Sequence, residues 1–448
     1  MKDLSKLAVN ILPSISTKAK KTIHTAFADY FAVAMAALDE PIYQKIIKYL
    51  EKTAKGSIPL LGTSIKVSTQ QAALAWGTLG HALDYDDISA VLIGHPSVVL
   101  IPALTAVASE YGKSGKELFE AYYAGYEAIG RISAGAADSQ YQRGWHTTAT
   151  IGIFGAVIGV ARLLGLNSKQ TEHALGIACS MASGIRANFG TMTKPFHAGW
   201  AAGNAVFAVE LAINGFDSSP DALDSSQSYF NLFGGSYQVS QSDRPYIEDG
   251  LIVKLYPSCG YSTRAIDCAS DIVSKSVVEL DKIETIICYV SPLTDKVLRY
   301  RKPKNGTEAK FSLEYCIVQT LISGPLQLSH FEDEFVESQS MTRSLMDKVV
   351  RIIPDDMRQG TVFGKEYLEV EILLTTGKII RARVSEPKGY PENPLTPEEF
   401  EQKFNQCTLR ALTTNKQKIF FGQLMQLEVI EDFSHFINEL ICSIKIKV

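Results

Sequence analysis

A mainly α protein is predicted, with a large helical domain and a smaller α+β lobe, and three observations carry that expectation. Apolar residues recur at helical spacing from Leu4 to about residue 255, with strand signals nearly absent. β-rich runs are confined to the segment 265–390: Ile283–Val290 alternates, Val349–Ile353 is β-branched, and Tyr367–Leu374 and Ile379–Val384 flank the hairpin signal Thr375-Thr376-Gly377-Lys378. Beyond Pro387, Pro391, Pro394 and Pro397 the helical pattern resumes over 397–413 and 417–445. These last helices are expected to rejoin the first ones, giving a helical domain from 1–264 and 393–448 and an α+β domain from 265–392.

In order, Leu4–Leu38 reads as helix ending in the small-residue run Ala32–Ala37, and Pro41 sits near the start of a helix through Leu50. Residues 56–66 are short and irregular, after which Ser68 caps a helix to Leu83. Pro102–Tyr111 and Lys116–Ile132 read as two further helices, and Ala149–Leu164 as a glycine-rich one that Gly165 stops. Ser168 opens a helix whose apolar run continues from Ala174 to Ile185, and Ala201–Ile213 forms the next. In the α+β lobe, helices are expected at Thr263–Val278, Lys310–Gly324 and Phe335–Val349.

Of the 448 residues 46% are apolar and 21% charged, enough for a large core and incompatible with wholesale disorder. A net charge of −4, with no long basic block, argues against a nucleic-acid partner. Seven scattered cysteines without a CxxC pair read as reduced thiols, and residues 1–21 lack a secretory pattern, so a cytoplasmic protein is expected. The longest uncharged apolar run, Thr147–Ala161, is shorter than the ~20 residues of a spanning helix and reads as a buried helix, with no membrane partner.

The chain is organised around Arg186 to Trp200, where Gly190, Pro195 and Gly199 break the helical pattern between two apolar runs. This stretch carries Arg186, Lys194 and His197. Cations between buried helices are costly without a partner, and an anionic small molecule is the expected one. A second stretch, His81 to Asp87, brings a histidine and three aspartates to a helix end, as a hydrogen-bonded network holding a histidine or a metal site requires. No metal is assigned, because Asp-x-Asp-Asp lacks further ligands at a known spacing. Gly94-His95-Pro96-Ser97 places a histidine where proline forbids regular helix. Gly144-Trp145-His146 sets another near a helix N-terminus, where the dipole favours the neutral imidazole. The segment Lys254 to Arg264 adds two cations and Cys259, which reads as a small buried thiol.

Taken in order, His81-Ala82-Leu83-Asp84-Tyr85-Asp86-Asp87, His95-Pro96-Ser97, Gly144-Trp145-His146, Gly190 to Gly199 and Lys254-Leu255-Tyr256-Pro257-Ser258-Cys259 resemble the MmgE/PrpD superfamily, with a weaker match at Thr307 to Ser312. The superfamily includes 2-methylcitrate dehydratase, cis-aconitate decarboxylase and iminodisuccinate epimerase. The resemblance implies a large all-helical domain built from both chain ends, an α+β lid domain, a homodimer and a site that needs no cofactor. It also implies acid–base and binding roles for Asp84, His95, His146, Lys194 and Lys254. One departure is Thr263, followed by Arg264, where many members have a histidine that lies in the decarboxylase active site.

The shared chemistry is proton transfer at a carbon next to a carboxylate, whose developing charge fixed cations must stabilise. On that basis Lys194, Lys254 and Arg264 are expected to hold the carboxylates of a small polycarboxylate, with Thr263 and His197 nearby. His95 and His146 exchange protons, and Asp84 orients a histidine. His197 is alternatively structural, bonded to a backbone carbonyl. Three functions fit: a lyase on a di- or tricarboxylate, an epimerase of an amino-dicarboxylate, and a catalytically silent binding homologue.

Overall fold

The computed structural model describes residues 1–237, 244–358 and 366–445. Two compact units divide it: Met1–Ile252 with Thr396–Val448, and Val253–Leu395. Residues 253–264, assigned from sequence to the helical part, therefore pack with the second unit, and Lys254, Thr263 and Arg264 go with them.

Among the described residues the strand pairing of the first unit is Ile58–Pro59 against Lys66–Val67, in and beside the segment expected to be irregular, and helices make up most of the rest. Several of its helices begin at residues that cap the free backbone N–H groups of the first turn: Ser16 accepts from the Ala19 N–H, and Ser68 and Ser114 form capping boxes with Gln71 and Glu117. Several expected boundaries move. The helix read as Pro102–Tyr111 starts at Ser97 and carries Pro102 inside it; the next runs Gly115–Arg143, eleven residues past Ile132. Its end is set by Gly144 at φ 98°, a left-handed stop that suits glycine.

Helices Thr69–His81 and Thr193–Ile213 cross at the centre of this unit. Small residues make the approach possible: a Cβ on Gly77 would lie 2.7 Å from the Gly199 Cα, and one on Gly199 would lie 2.1 Å from the Leu74 carbonyl oxygen. The stretch Thr147–Leu164, the one candidate among the described residues long and apolar enough to cross a membrane, is 89% buried within the protein.

The second unit holds a four-stranded sheet in the order Val349–Ile352, Ile283–Tyr289, Leu368–Leu374, Ile379–Val384. The first pair is parallel and the other two antiparallel, with Gly377 at φ 80° in the hairpin turn. Helix Thr263–Lys275 packs on the last two strands and on helix Leu313–Ser323. The fold class is therefore mainly α with a smaller α+β part, as expected.

Candidate active site

Five of the expected residues, Asp84, His95, His146, Lys194 and His197, meet in the first unit, joined by His81 and Asp86. Each arrives for a local reason. His81 ends the helix Thr69–His81, and Asp84 follows at φ 52°, a left-handed turn that aspartate tolerates better than most residues. The loop then closes on itself through Ser89 N–H to the Gly94 carbonyl (2.8 Å). Thr147 and Thr148 clamp its far end: Thr147 Oγ1 donates to the Ile93 carbonyl at 2.7 Å, and the His95 N–H donates to Thr148 Oγ1 at 3.0 Å. A Cβ on Gly94 would sit 2.9 Å from the Thr148 nitrogen, so only glycine lets the loop lie this close.

His146 enters the cluster because residues 144–146 pair with 184–186. The His146 N–H donates to the Gly184 carbonyl at 2.9 Å, and the Arg186 N–H to the Gly144 carbonyl at 2.8 Å. The organising stretch differs from its expected form. Helix Ser168–Cys179 ends before the apolar run does, and Lys194, Pro195 and His197 stand in the opening turns of helix Thr193–Ile213 rather than in a loop. Pro195 fits there because the first helical N–H groups need no acceptor within the helix. The close crossing at Gly77 and Gly199 then carries Lys194 and His197 to the end of the helix that bears His81.

Asp84 Oδ2 accepts from Lys194 Nζ at 2.6 Å, and its Oδ1 lies 3.6 Å from His95 Nε2. His95 Nδ1 lies 3.1 Å from Asp86 Oδ2, and His81 Nδ1 is 2.9 Å from both Asp86 oxygens. His146 Nδ1 and His197 Nδ1 are 3.2 Å apart, so His197 is bonded to a second imidazole rather than to a backbone carbonyl. The His81 and His146 rings stack at 5.8 Å, and Phe189 meets His146 edge-on at 4.9 Å while lying 5.2 Å beneath Lys194 Nζ. None of these polar residues is more than 7% exposed.

Burial governs their protonation. It pushes the His81 imidazole down to about 4 against the upward pull of Asp86, and lowers His197 to about 4 with help from His81 and Lys194. His146 falls well below the ordinary histidine value, first through burial and then through Lys194 and the neighbouring histidines. Its neutral form thus owes little to the helix dipole invoked from sequence, since the helix it opens, Thr147–Thr150, is four residues long. Asp86 stays ionised: burial raises it, yet His81 and His95 together hold it well below the carboxylate range. Asp87 is the opposite, raised by burial and by Asp29, and its Oδ2 accepts from Ser97, which also contacts the Tyr122 hydroxyl at 2.7 Å.

His81, Asp84, Asp86 and His95 could each offer a ligand atom to a metal, all within 4.8 Å of one another. Two features of the donors oppose this. Lys194 already places a cation on Asp84, and Asp86 is shared between His81 and His95. The set is better suited to holding protons.

In the second unit, Lys254 and Thr263 are buried, and Arg264 is 2% exposed. Arg264 was expected to hold a substrate carboxylate. Its guanidinium instead lies 3.6 Å from Glu366, donates to the Ser385 carbonyl at 3.2 Å and stacks 5.0 Å above Tyr390, so it already has an anionic partner. Arg186 donates to the Tyr141 carbonyl at 2.6 Å and covers that ring, which gives it a structural role at the edge of the organising stretch. Sequence reading missed two buried partners, Lys403 and Asp29. Lys403 forms a 2.6 Å ion pair with Asp29 and donates to the Tyr85 carbonyl at 3.1 Å, bracing the peptide between Asp84 and Asp86. No local pattern marks either residue, because the pair spans most of the chain.

Buried imidazoles and aspartates thus gather with a lysine on a mainly helical scaffold. The chain belongs to the MmgE/PrpD family: the family's N-terminal domain model matches residues 3–242 and its C-terminal domain model residues 256–424. It is similar to a cis-aconitate decarboxylase of Homo sapiens, 27% identical over 83% of this chain and 79% of the relative. It is also similar to a cis-aconitate decarboxylase of Aspergillus terreus (23% identical over 98% and 95%) and a probable 2-methylcitrate dehydratase of Saccharomyces cerevisiae (26% over 75% and 70%). These relatives support a lyase-type role at the level of the family.

Proposed function

We propose that the protein is a lyase acting on a small di- or tricarboxylate by proton transfer at a carbon next to a carboxylate. The observation that carries this is the meeting of His95, His146, Asp84 and Lys194, four residues remote in sequence, in one buried cluster. A neutral imidazole can accept a proton, and a lysine fixed in a water-poor site can stabilise the carboxylate charge that builds up as it does. The names of the relatives make cis-aconitate and 2-methylcitrate the first substrates to try. In a dehydration the base takes the proton next to the carboxylate while the hydroxyl leaves with a proton from a second group. In a decarboxylation CO2 departs and the electron pair left on carbon takes up a proton.

A polyanionic substrate itself raises the proton affinity of nearby imidazoles, so a histidine neutral in the free protein becomes able to carry the proton once substrate binds. Lys254 is proposed, on the family likeness, to bind a second carboxylate, and Lys254→Met is expected to raise KM more than it lowers kcat.

Incubation in deuterated water with citrate, methylcitrate, aconitate and iminodisuccinate tests the proposal. A lyase changes the mass or absorbance of one of the first three. Deuterium exchange with inversion of iminodisuccinate and no elimination would identify an epimerase instead. No reaction with any of the four, at protein concentrations where binding is measurable, would leave the binding homologue.

A further inference from the structure

Asp84 was expected to orient a catalytic histidine, but its geometry suits that task poorly. Oδ2 is engaged by Lys194 at 2.6 Å, and Oδ1 stands 3.6 Å from His95 Nε2, beyond hydrogen-bond range. The carboxylate in reach of imidazole nitrogens is the one two residues on. We propose that Asp86 is the positioning residue of the site, holding His81 as its Nδ1–H tautomer so that the ring presents an unprotonated Nε2.

An ionised carboxylate only accepts hydrogen bonds. Asp86 is 1% exposed, with His81 Nδ1 2.9 Å from its two oxygens and His95 Nδ1 3.1 Å from Oδ2. A lone pair on the His81 Nδ1 would face the carboxylate's own lone pairs in a site of low dielectric, so the hydrogen belongs on that Nδ1. Burial keeps the ring neutral, so its lone pair then falls on Nε2.

The His81 Nε2 is buried with no hydrogen-bond partner, which suits an acceptor for a donor supplied from outside the protein, such as a substrate hydroxyl. That role rests on the proposed acid–base function. The tautomer itself does not.

The test is histidine-selective 15N labelling of the full chain, with long-range proton–nitrogen correlation at neutral pH to read which ring nitrogen carries the hydrogen. Signals are assigned with His81→Gln. The expected result is a single Nδ1–H at His81, and any other protonation pattern at that ring overturns the proposal.

Asp86→Asn provides a second arm. Its side-chain amide can donate as well as accept, so His81 should lose its single Nδ1–H form and show a mixture of tautomers. His81 keeping a single Nδ1–H would show that the Asp86 carboxylate does not set it. In the turnover assay Asp86→Asn should lose roughly 10²- to 10⁴-fold in kcat with a much smaller change in KM, since a wrong tautomer disables a base without emptying the binding site. If Asp86→Asn does not fold, the wild-type spectrum alone decides. That spectrum needs no substrate, so a wrong substrate class would show as inactivity while the tautomer stays as proposed.

Discussion

At the scale of single residues, His146 is the side chain whose protonation the fold controls most completely. It is 1% exposed, and burial together with Lys194 keeps it neutral well below the ordinary histidine pKa. General acid–base catalysis contributes about 10²- to 10⁴-fold, so His146→Gln should lower kcat by at least the smaller factor while leaving the far-ultraviolet circular dichroism unchanged. A near-normal rate would remove His146 from the chemistry. The acid limb of kcat/KM reports the free enzyme and should lie below pH 6.5; a limb at or above 6.5 would contradict the buried, neutral base. Lys194→Met leaves Asp84 as a buried carboxylate that has lost its cation. Breaking such a pair costs about 3–5 kcal/mol, and urea unfolding should show a loss of that order alongside lost turnover. Asp84→Asn in the same chain should recover part of the stability and none of the activity.

At the scale of elements, the site depends on two close approaches that only glycine permits. Gly199→Ala puts a methyl 2.1 Å from the Leu74 carbonyl oxygen, where a backbone atom cannot step aside as a side chain could. Overpacking of this kind typically costs ~1–3 kcal/mol, and thermal unfolding should show the loss. Gly94→Ala pushes on the Thr148 nitrogen and should shift His95 with a milder effect on stability; a drop in kcat larger than the drop in melting temperature suggests would separate the two effects. Helix starts were legible at this scale because capping is local: the Ser68, Pro41 and Pro397 starts follow from a few adjacent residues. Helix interiors were less so. Gly190, Pro195 and Gly199 read as breakers, yet Pro195 tolerates a first turn and Gly199 serves the crossing, so the helix runs through both. Pro102 likewise sits inside a helix whose start was placed too late.

At the scale of the whole molecule, acid should weaken the fold through the buried histidines. His81 and His197, near 4, and His146, well below the ordinary histidine value, bind protons more readily when the chain is unfolded. Between pH 6.5 and about 4 the unfolded chain therefore holds more protons, and stability falls as pH falls, by up to about 1.4 kcal/mol per pH unit for each histidine. Above pH 6.5 their contribution is constant. Asp87 works in the opposite direction, since its raised carboxyl keeps a proton in the folded state and favours it at lower pH. Urea unfolding at pH 5.0 and 6.5 checks the net sign, and greater stability at pH 5.0 would show that the carboxyl prevails.

A second measurement bears on the site as a unit. Dialysis against a chelator should leave turnover intact, because Lys194 occupies the electrostatic position a metal would take between Asp84 and its neighbours. Loss of activity that a divalent cation restores would favour the metal arrangement. Lys403, returned to the first unit by the C-terminal segment, shows how far the support for this site extends. Lys403→Met should destabilise by about 3–5 kcal/mol, with Asp29→Asn restoring part of it.

The sequence by itself determined the class of fold, because helical periodicity, capping residues and the Thr375–Lys378 turn act over a few residues and need no distant partner. It also marked Asp84, His95, His146 and Lys194, whose motifs are local runs of chemistry-bearing residues. Tertiary structure alone decided which carboxylate serves which base: Asp84 went to Lys194 and Asp86 to the two imidazoles. It likewise committed Arg264 to Glu366 and braced the Tyr85 peptide with Lys403. Those outcomes depend on distances of a few ångströms between segments up to 318 positions apart, and hydrogen bonds and ion pairs weaken too steeply with distance for spacing along the chain to reveal them.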